Sequence, residues 1–273
     1  MNRIGYVILY VCLSLVAVFQ IFPLVWLVIF SLKGSREIFA SPPLSLPEEL
    51  KWENYVKVWE GDIGVYFLNS VWYTLAAIII TVLLASMATF AITRMRWKLS
   101  SLVLGLFMVG LMIPIHSALI PLFKMYLSVN LIDNPLSIII TYTAYNLPIT
   151  MMILLGFYYT LPREVEEAAI IDGCSINRLF FGIIMPMTIP VMSTTVIINM
   201  IYNWNEFVFV NTFISSNEYK TLTVGIQNFI GQYMTDWGAI GATLVISILP
   251  ILIAFFFFSN KIVEGISASA VKG

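Results

Sequence analysis

Charge leaves this sequence for long stretches and returns in short bursts. From Ile4 to Leu32 no residue is charged, and none is from Ile63 to Thr93. Leu99–Phe123 is broken only by His116, Asn134–Pro162 carries no charge, Pro186–Phe213 holds the single acid Glu206, and Trp237–Asn260 is uncharged. A helix needs about 20 apolar residues to cross a bilayer. The pattern therefore predicts six spans, at about 4–32, 66–93, 99–123, 135–159, 186–213 and 237–260. No internal repeat or low-complexity linker divides them. The expected fold is an all-α membrane protein, one domain over 1–273.

An even number of spans puts both termini on one side. The loop Arg94-Met-Arg-Trp-Lys98 is the densest basic cluster, which makes it cytoplasmic. The N-terminus, the 160–185 segment and the C-terminal tail then lie inside, and 33–62, 124–133 and 214–236 lie outside. A basic start followed by an apolar run resembles a secretory leader. However, Ile4–Leu32 far exceeds a leader's apolar core of about 7–15 residues, so a retained first span is expected. In the first outer loop, SPPLSLPEEL reads as turning chain. In KWENYVKVWEGD, Trp52, Tyr55, Val56 and Trp59 share one helical face. Such a helix either lies on the outer membrane surface, aromatics down, or packs on the rest of the protein.

Composition agrees with the span count and removes other classes. The chain is 60% hydrophobic and 11% charged, whereas soluble domains are about a quarter charged. A net charge of -1 offers no footprint for nucleic acid. Cys12 in an apolar run and Cys174 in a polar segment suggest no disulfide framework. No GxxxxGK[ST] phosphate loop is present, so the chain binds no nucleotide by that route, and no HExxH, CxxC pair or GxSxG marks an enzyme. His116 has no ligand partners at metal spacing and reads as a packing residue. The spans hold Glu206, His116 and little else that ionises. Proton- and sodium-coupled carriers place acids or broken helices mid-membrane, so such coupling is poorly supported. If the chain belongs to a pump, the energy must come from another subunit.

The polar segment between spans four and five carries local signals of its own. Thr160 is a candidate N-cap and Pro162 suits a first turn. Glu164, Glu166 and Glu167 favour a helix N-terminus. Ala168 and Ala169 keep the helix slim, Gly173 breaks it, and Ser175 is placed to cap a second short helix, SINRLFFGIIM. A solvated loop with incidental signals is the plainer alternative to a docking helix.

The spacing Glu167-Ala168-Ala169, three residues, Gly173, nine residues, Ile183, two residues, Pro186 resembles the EAA loop. That loop marks permease subunits of bacterial binding-protein-dependent ABC importers. The family usually has leucine before the proline, and here Met185 stands there, similar in volume. EEAAIIDG resembles the carbohydrate-uptake branch. So do LNS at 68–70, Ile113-Pro114 with Ile120-Pro121, NWNEF at 203–207, TLTVGI at 221–226 and the ending SASAVKG, where relatives often read GAVKG.

The resemblance implies a type I importer permease with a cytoplasmic coupling helix between spans four and five. Glu166, Glu167, Ala168, Ala169, Asp172 and Gly173 would engage the ATPase. It also implies a second homologous permease, two ATPase subunits that bind ATP and Mg, an extracytoplasmic solute-binding protein and a sugar cargo. The chain itself would hold no cofactor or metal and catalyse no reaction. The C-terminal tail would reach the ATPases. Asn217, Tyr219, Gln227, Asn228 and Gln232 would meet the binding protein. For the substrate path, Asn199, Tyr202, Asn203 and Glu206 fall at i, i+3, i+4 and i+7, and Tyr142, Tyr145 and Asn146 offer a similar face. Each alone reads equally as interhelical glue, and Glu206 as a helix-end stabiliser. A non-sugar cargo such as glycerol phosphate would want a basic pore face, which the sequence lacks. An ion-coupled secondary transporter is the remaining alternative.

Overall fold

The computed structural model describes residues 3–95, 97–230 and 235–270, with side chains described to Phe257. Among these residues the chain is helical, and its one β-type pairing is the isolated bridge Ile230–Thr235. Four helices are long and apolar enough to cross a membrane: Arg3–Ser31, Ile63–Arg94, Pro135–Tyr158 and Trp237–Phe257. Two bent pairs raise the number to six if each pair is one span. The chain forms two compact units, the described residues of 1–64 with 225–250 and those of 65–224 with 251–273.

In the first unit the Arg3–Ser31 helix buries only its last residue. Its end is tied by Asn54, whose Nδ2 donates to the Ser31 and Lys33 carbonyls at 2.8 and 2.9 Å. The first is a carbonyl that the helix end leaves without a partner. Asn54 and Val58 are buried on the Glu53–Glu60 helix, while Trp52, Val56 and Trp59 remain exposed. Of the aromatic face only Tyr55 packs, half-buried with its hydroxyl 2.7 Å from Ser31 Oγ. Asp236 closes this unit. It accepts from Ala239 N at 3.1 Å at the start of the last helix, from Ser35 Oγ at 3.2 Å, and from Lys57 Nζ at 3.1 Å. Gly241 permits the close approach of that helix: a Cβ there would lie 2.7 Å from the Phe30 ring.

In the second unit the third predicted span is not one rod. Ser100–Met112 stops before Ile113, which is extended because Pro114 disfavours the helical conformation in its predecessor. The chain resumes as Ile115–Ser128, bent by 96°. The fifth span is interrupted twice. The segment Ile176–Met187 meets Ile189–Trp204 at 73°, and the helix ends again at Asn205 before Val208–Phe213. Phe180–Ile184 winds as a π turn just ahead of Pro186, which has no N–H to continue the ordinary ladder. The fourth span is the regular one. Asn134 caps it by accepting from Leu136 N at 2.9 Å, and Pro135 takes the first turn. Pro148 inside it meets the bend-forming helix so closely that a Cβ on Gly110 would come within 3.2 Å.

Two apolar clusters hold this unit. One surrounds Ile78, Phe90, Leu154, Leu179 and Phe180, near the 163–187 hairpin. The other surrounds Tyr73, Tyr126, Ile138, Phe209 and Phe213. His116 packs its ring against Phe209, with centroids 5.6 Å apart, a packing role of the kind its isolation suggests.

Candidate functional site

The hairpin begins with a helix at Arg163–Ile171. Pro162 precedes it without a side-chain cap, and Thr160 is not the cap: its hydroxyl donates back to the Phe157 carbonyl at 2.8 Å. Ser175 likewise precedes the Ile176–Leu179 helix without a side-chain capping bond. The C-terminal end does follow the glycine. Gly173 has φ +78°, its N–H reaches the Ile170 carbonyl at 3.0 Å, and Cys174 N–H reaches that of Ala169 at 2.9 Å. This is a Schellman turn, in which a left-handed residue satisfies the last free carbonyls.

The helix sorts the expected docking residues by face. Glu166 and Ala169, one turn apart, are its buried residues. Glu167, Ala168, Ile170, Ile171 and Asp172 are exposed. The two alanines therefore do not form one face; only Ala168 is presented outward. Inward, Glu166 Oε1 lies 2.8 Å from Arg94 Nε, an ion pair whose angle falls short of a hydrogen bond. Arg94 Nη2 donates to the Tyr158 and Leu161 carbonyls at 2.8 and 3.1 Å. Burial pushes the Glu166 carboxyl above its ordinary pKa, and Arg94, with Arg163, pulls it partly back. Sequence reading took Arg94 only as a topological charge. Its partner lies in a different helix, and no local signal names it.

Six of the seven proposed path residues meet in a polar seam between spans four and five. Tyr145 Oη and Asn146 Nδ2 both donate to Asn203 Oδ1, at 3.0 and 2.7 Å. Asn199 Nδ2 donates to Thr150 Oγ1 at 3.0 Å, and Tyr142 Oη to Glu206 Oε2 at 3.3 Å. Asn146 Oδ1 and Asn203 Nδ2 are buried with no hydrogen-bond partner. Glu206 also accepts from Phe209 N at 2.8 Å and Val210 N at 3.3 Å, so it caps the helix that follows the break. Tyr202 is the exception: it stands outside the seam and is 56% exposed. Beside the seam lies a cavity of about 700 Å³. Tyr145, Asn146 and Tyr202 line it together with Tyr126, Pro114 and Phe209, and none of its described lining residues is formally charged.

The opposite end of this unit is built around the 214–224 loop. Asn69 Nδ2 donates to the Glu218 and Lys220 carbonyls at 2.8 and 3.0 Å, and Ser70 Oγ accepts from Leu222 N at 2.9 Å. The LNS string thus holds the loop. Thr223 Oγ1 donates to the Glu206 carbonyl at 2.8 Å. Of the residues expected to meet a binding protein, Asn217 is exposed in this loop and Tyr219 half-buried, its carbonyl bonded by Tyr73. Gln227 and Asn228 are exposed in the Ile226–Phe229 turn of the first unit. Gln232 lies outside the described residues, as do Val271–Gly273 of the tail. Among the described residues no His, Cys, Asp and Glu cluster suits a metal.

The chain as a whole has known relatives. Residues 82–266 match the family described as binding-protein-dependent transport system inner membrane component. The chain belongs to that family. It is 34% identical to a probable ABC transporter permease of Bacillus subtilis, over 99% of this chain and 90% of the relative. It is 34% identical to a diacetylchitobiose uptake permease of Streptomyces coelicolor, over 95% and 87%. It is 31% identical to a trehalose/maltose transport permease of Thermococcus litoralis, over 95% and 94%. In fold it matches a chain from the crystal structure of a bacterial ABC transporter that imports the acidic polysaccharide alginate. The TM-score is 0.81 at 18% identity, covering 94% of this chain and 96% of that one.

Asp133 is a permease residue that sequence reading passed over. At φ 58°, it accepts from Ser215 N at 2.9 Å, Ser216 N at 2.8 Å and the Ser216 hydroxyl, clasping the 214–224 loop. The bonds from Ser216 hold its carboxyl below the ordinary value of 3.8. A folded pKa below the unfolded one contributes stability above the unfolded pKa, lost as pH falls through the folded value. We expect Asp133→Ala to raise hydrogen exchange at the Ser215 and Ser216 amides at neutral pH. In wild type, protection corrected for intrinsic rate should weaken only at pH below about 3.8. Protection indifferent to both changes would show the clasp is not what orders the loop.

Proposed function

We propose that this permease is one of two homologous membrane subunits of an ATP-driven importer for a neutral sugar or oligosaccharide. The Arg163–Ile171 helix acts as the coupling helix. It lies on the cytoplasmic side and docks on an ATPase subunit, where ATP and Mg are bound. Closure of the two ATPases moves the coupling helices and switches the spans between outward- and inward-open states. An extracytoplasmic binding protein delivers the cargo against the outer loops. The observation that carries this reading is the helix itself. It ends in a glycine-dependent turn and presents Glu167, Ala168, Ile170, Ile171 and Asp172 outward, with Glu166 and Ala169 turned in.

The cargo reading rests on two further supports. Relatives are named for diacetylchitobiose, trehalose/maltose and melibiose/raffinose/stachyose. The cavity beside the seam offers aromatic rings and an amide without formal charge, which suits stacking and hydroxyl recognition rather than a phosphate. Glycerol phosphate would want a cation there. Coupling to protons or sodium would want a free intramembrane acid, and both Glu206 oxygens accept hydrogen bonds.

The test is reconstitution with the partner permease, ATPases and binding protein, followed by uptake of labelled disaccharides. Uptake should require ATP; uptake without ATP would refute the reading. The path is tested within the same system. Tyr202→Ala should lower uptake about tenfold, the loss of roughly 1.4 kcal/mol of contact, with little change in thermal stability. Asn203→Ala and Asn199→Ala should instead lower stability by about 0.6–2 kcal/mol each, because both bond across helices. Normal uptake in all three would refute the path assignment.

A further inference from the structure

Only two residues of the Arg163–Ile171 helix are buried, and one of them is an alanine. A methyl group gives little directional hold. A helix this short is not stable by its own propensity and takes its orientation from tertiary contacts. Its polar side-chain attachment is the ion pair of Glu166 with Arg94. Arg94 is the last residue of the Ile63–Arg94 helix. The same guanidinium bonds the carbonyls of Tyr158, which ends the fourth span, and of Leu161 in the connection. One rigid planar group thus joins three elements: the end of the second span, the end of the fourth, and the hairpin helix.

We propose that Arg94 is a positioning residue that makes the hairpin helix and the ends of spans two and four move as one body during transport. This rests on the coupling role given above to the Arg163–Ile171 helix. The chemistry requires arginine. Its planar group pairs with the Glu166 carboxylate through Nε while Nη2 donates to both carbonyls, whereas lysine carries a point charge on a flexible stem. A buried ion pair adds little to stability over apolar packing but sets geometry, so its loss should register first in coupling.

The measurement is sugar taken up per ATP hydrolysed by the complete transporter in proteoliposomes, with recovery of the ATPase subunits measured in parallel. Arg94→Gln and Glu166→Gln should still recover the ATPases but lower uptake per ATP by about tenfold. Arg94→Lys, which keeps the charge without the fork, should fall between them and wild type. Because Arg94→Gln alone leaves a buried unpaired carboxylate and can impair folding, the doubly neutral Arg94→Gln/Glu166→Gln variant serves as its check. Uptake per ATP within twofold of wild type in assembled Glu166→Gln or doubly neutral complexes overturns the inference. So does loss of the ATPases together with uptake, which would make the pair part of the docking surface. A wild-type chain that recovers no ATPase would overturn the coupling reading, and this inference with it. An unchanged uptake ratio in assembled complexes overturns this inference alone.

Discussion

Gly173→Val is expected to cut recovery of the ATPase subunits by about tenfold while leaving the chain inserted in the membrane. The reason is conformational and not steric. An added Cβ at Gly173 meets nothing within 4 Å, but the backbone there is left-handed, with φ +78°. That region costs an L-residue about 1–2 kcal/mol, and a β-branched one more. One or two kcal/mol corresponds to about a 5–30-fold shift between the turned and unturned hairpin. Without the turn, the Ala169 and Ile170 carbonyls lose their bonds from Cys174 and Gly173, and the exposed face is no longer aimed. Asparagine tolerates the left-handed region, so Gly173→Asn should recover near-wild-type amounts. Equal recovery with valine and asparagine would show that the turn does not set the docking geometry. The same comparison weighs Glu167 against shape: if Glu167→Gln docks normally where Gly173→Val does not, shape dominates.

Glu206→Ala should be strongly destabilising. Its carboxylate accepts from Phe209 N, Val210 N and Tyr142 Oη. Loss of an N-cap costs about 0.5–2 kcal/mol, and a buried hydroxyl left without its acceptor about 1–3 kcal/mol. A total of about 1.5–5 kcal/mol follows, measurable as a lowered thermal midpoint in detergent, with uptake lost as the span break slips. Glu206→Gln keeps one acceptor oxygen and should lose about half as much. An alanine variant as stable as wild type would show that packing of Phe209 and Phe213 alone holds the break.

The hairpin and the seam differ in how much of them the sequence makes legible. Gly173 is legible because a left-handed helix terminus selects glycine whatever surrounds it. The helix start misleads, because Thr160 has a carbonyl of the preceding turn within reach and bonds to Phe157 instead of the Arg163–Ile171 helix. The i, i+3, i+4 spacing of Asn199, Tyr202 and Asn203 falls on the Ile189–Trp204 helix, whereas Glu206 lies past its end, in the break. Periodicity cannot say that Asn203 turns to Asn146 while Tyr202 turns to the cavity, since a stripe is wide enough to do both. Pro114 announces a break in span three, but the 96° bend depends on what Ser100–Met112 and Leu119–Ser128 pack against.

By itself the sequence determines which stretches are apolar enough to cross a membrane and which short segment carries an exposed acidic helix with a glycine stop. Those properties are local: hydropathy over about 20 residues and the one residue type at ease with positive φ. Only the tertiary structure decides that Arg94 reaches Glu166, that Asn69 and Ser70 hold the 214–224 loop, and that Asp133 clasps Ser215 and Ser216. A buried polar group must find a partner, and which one it finds depends on the packing that brings distant helix ends within about 3 Å.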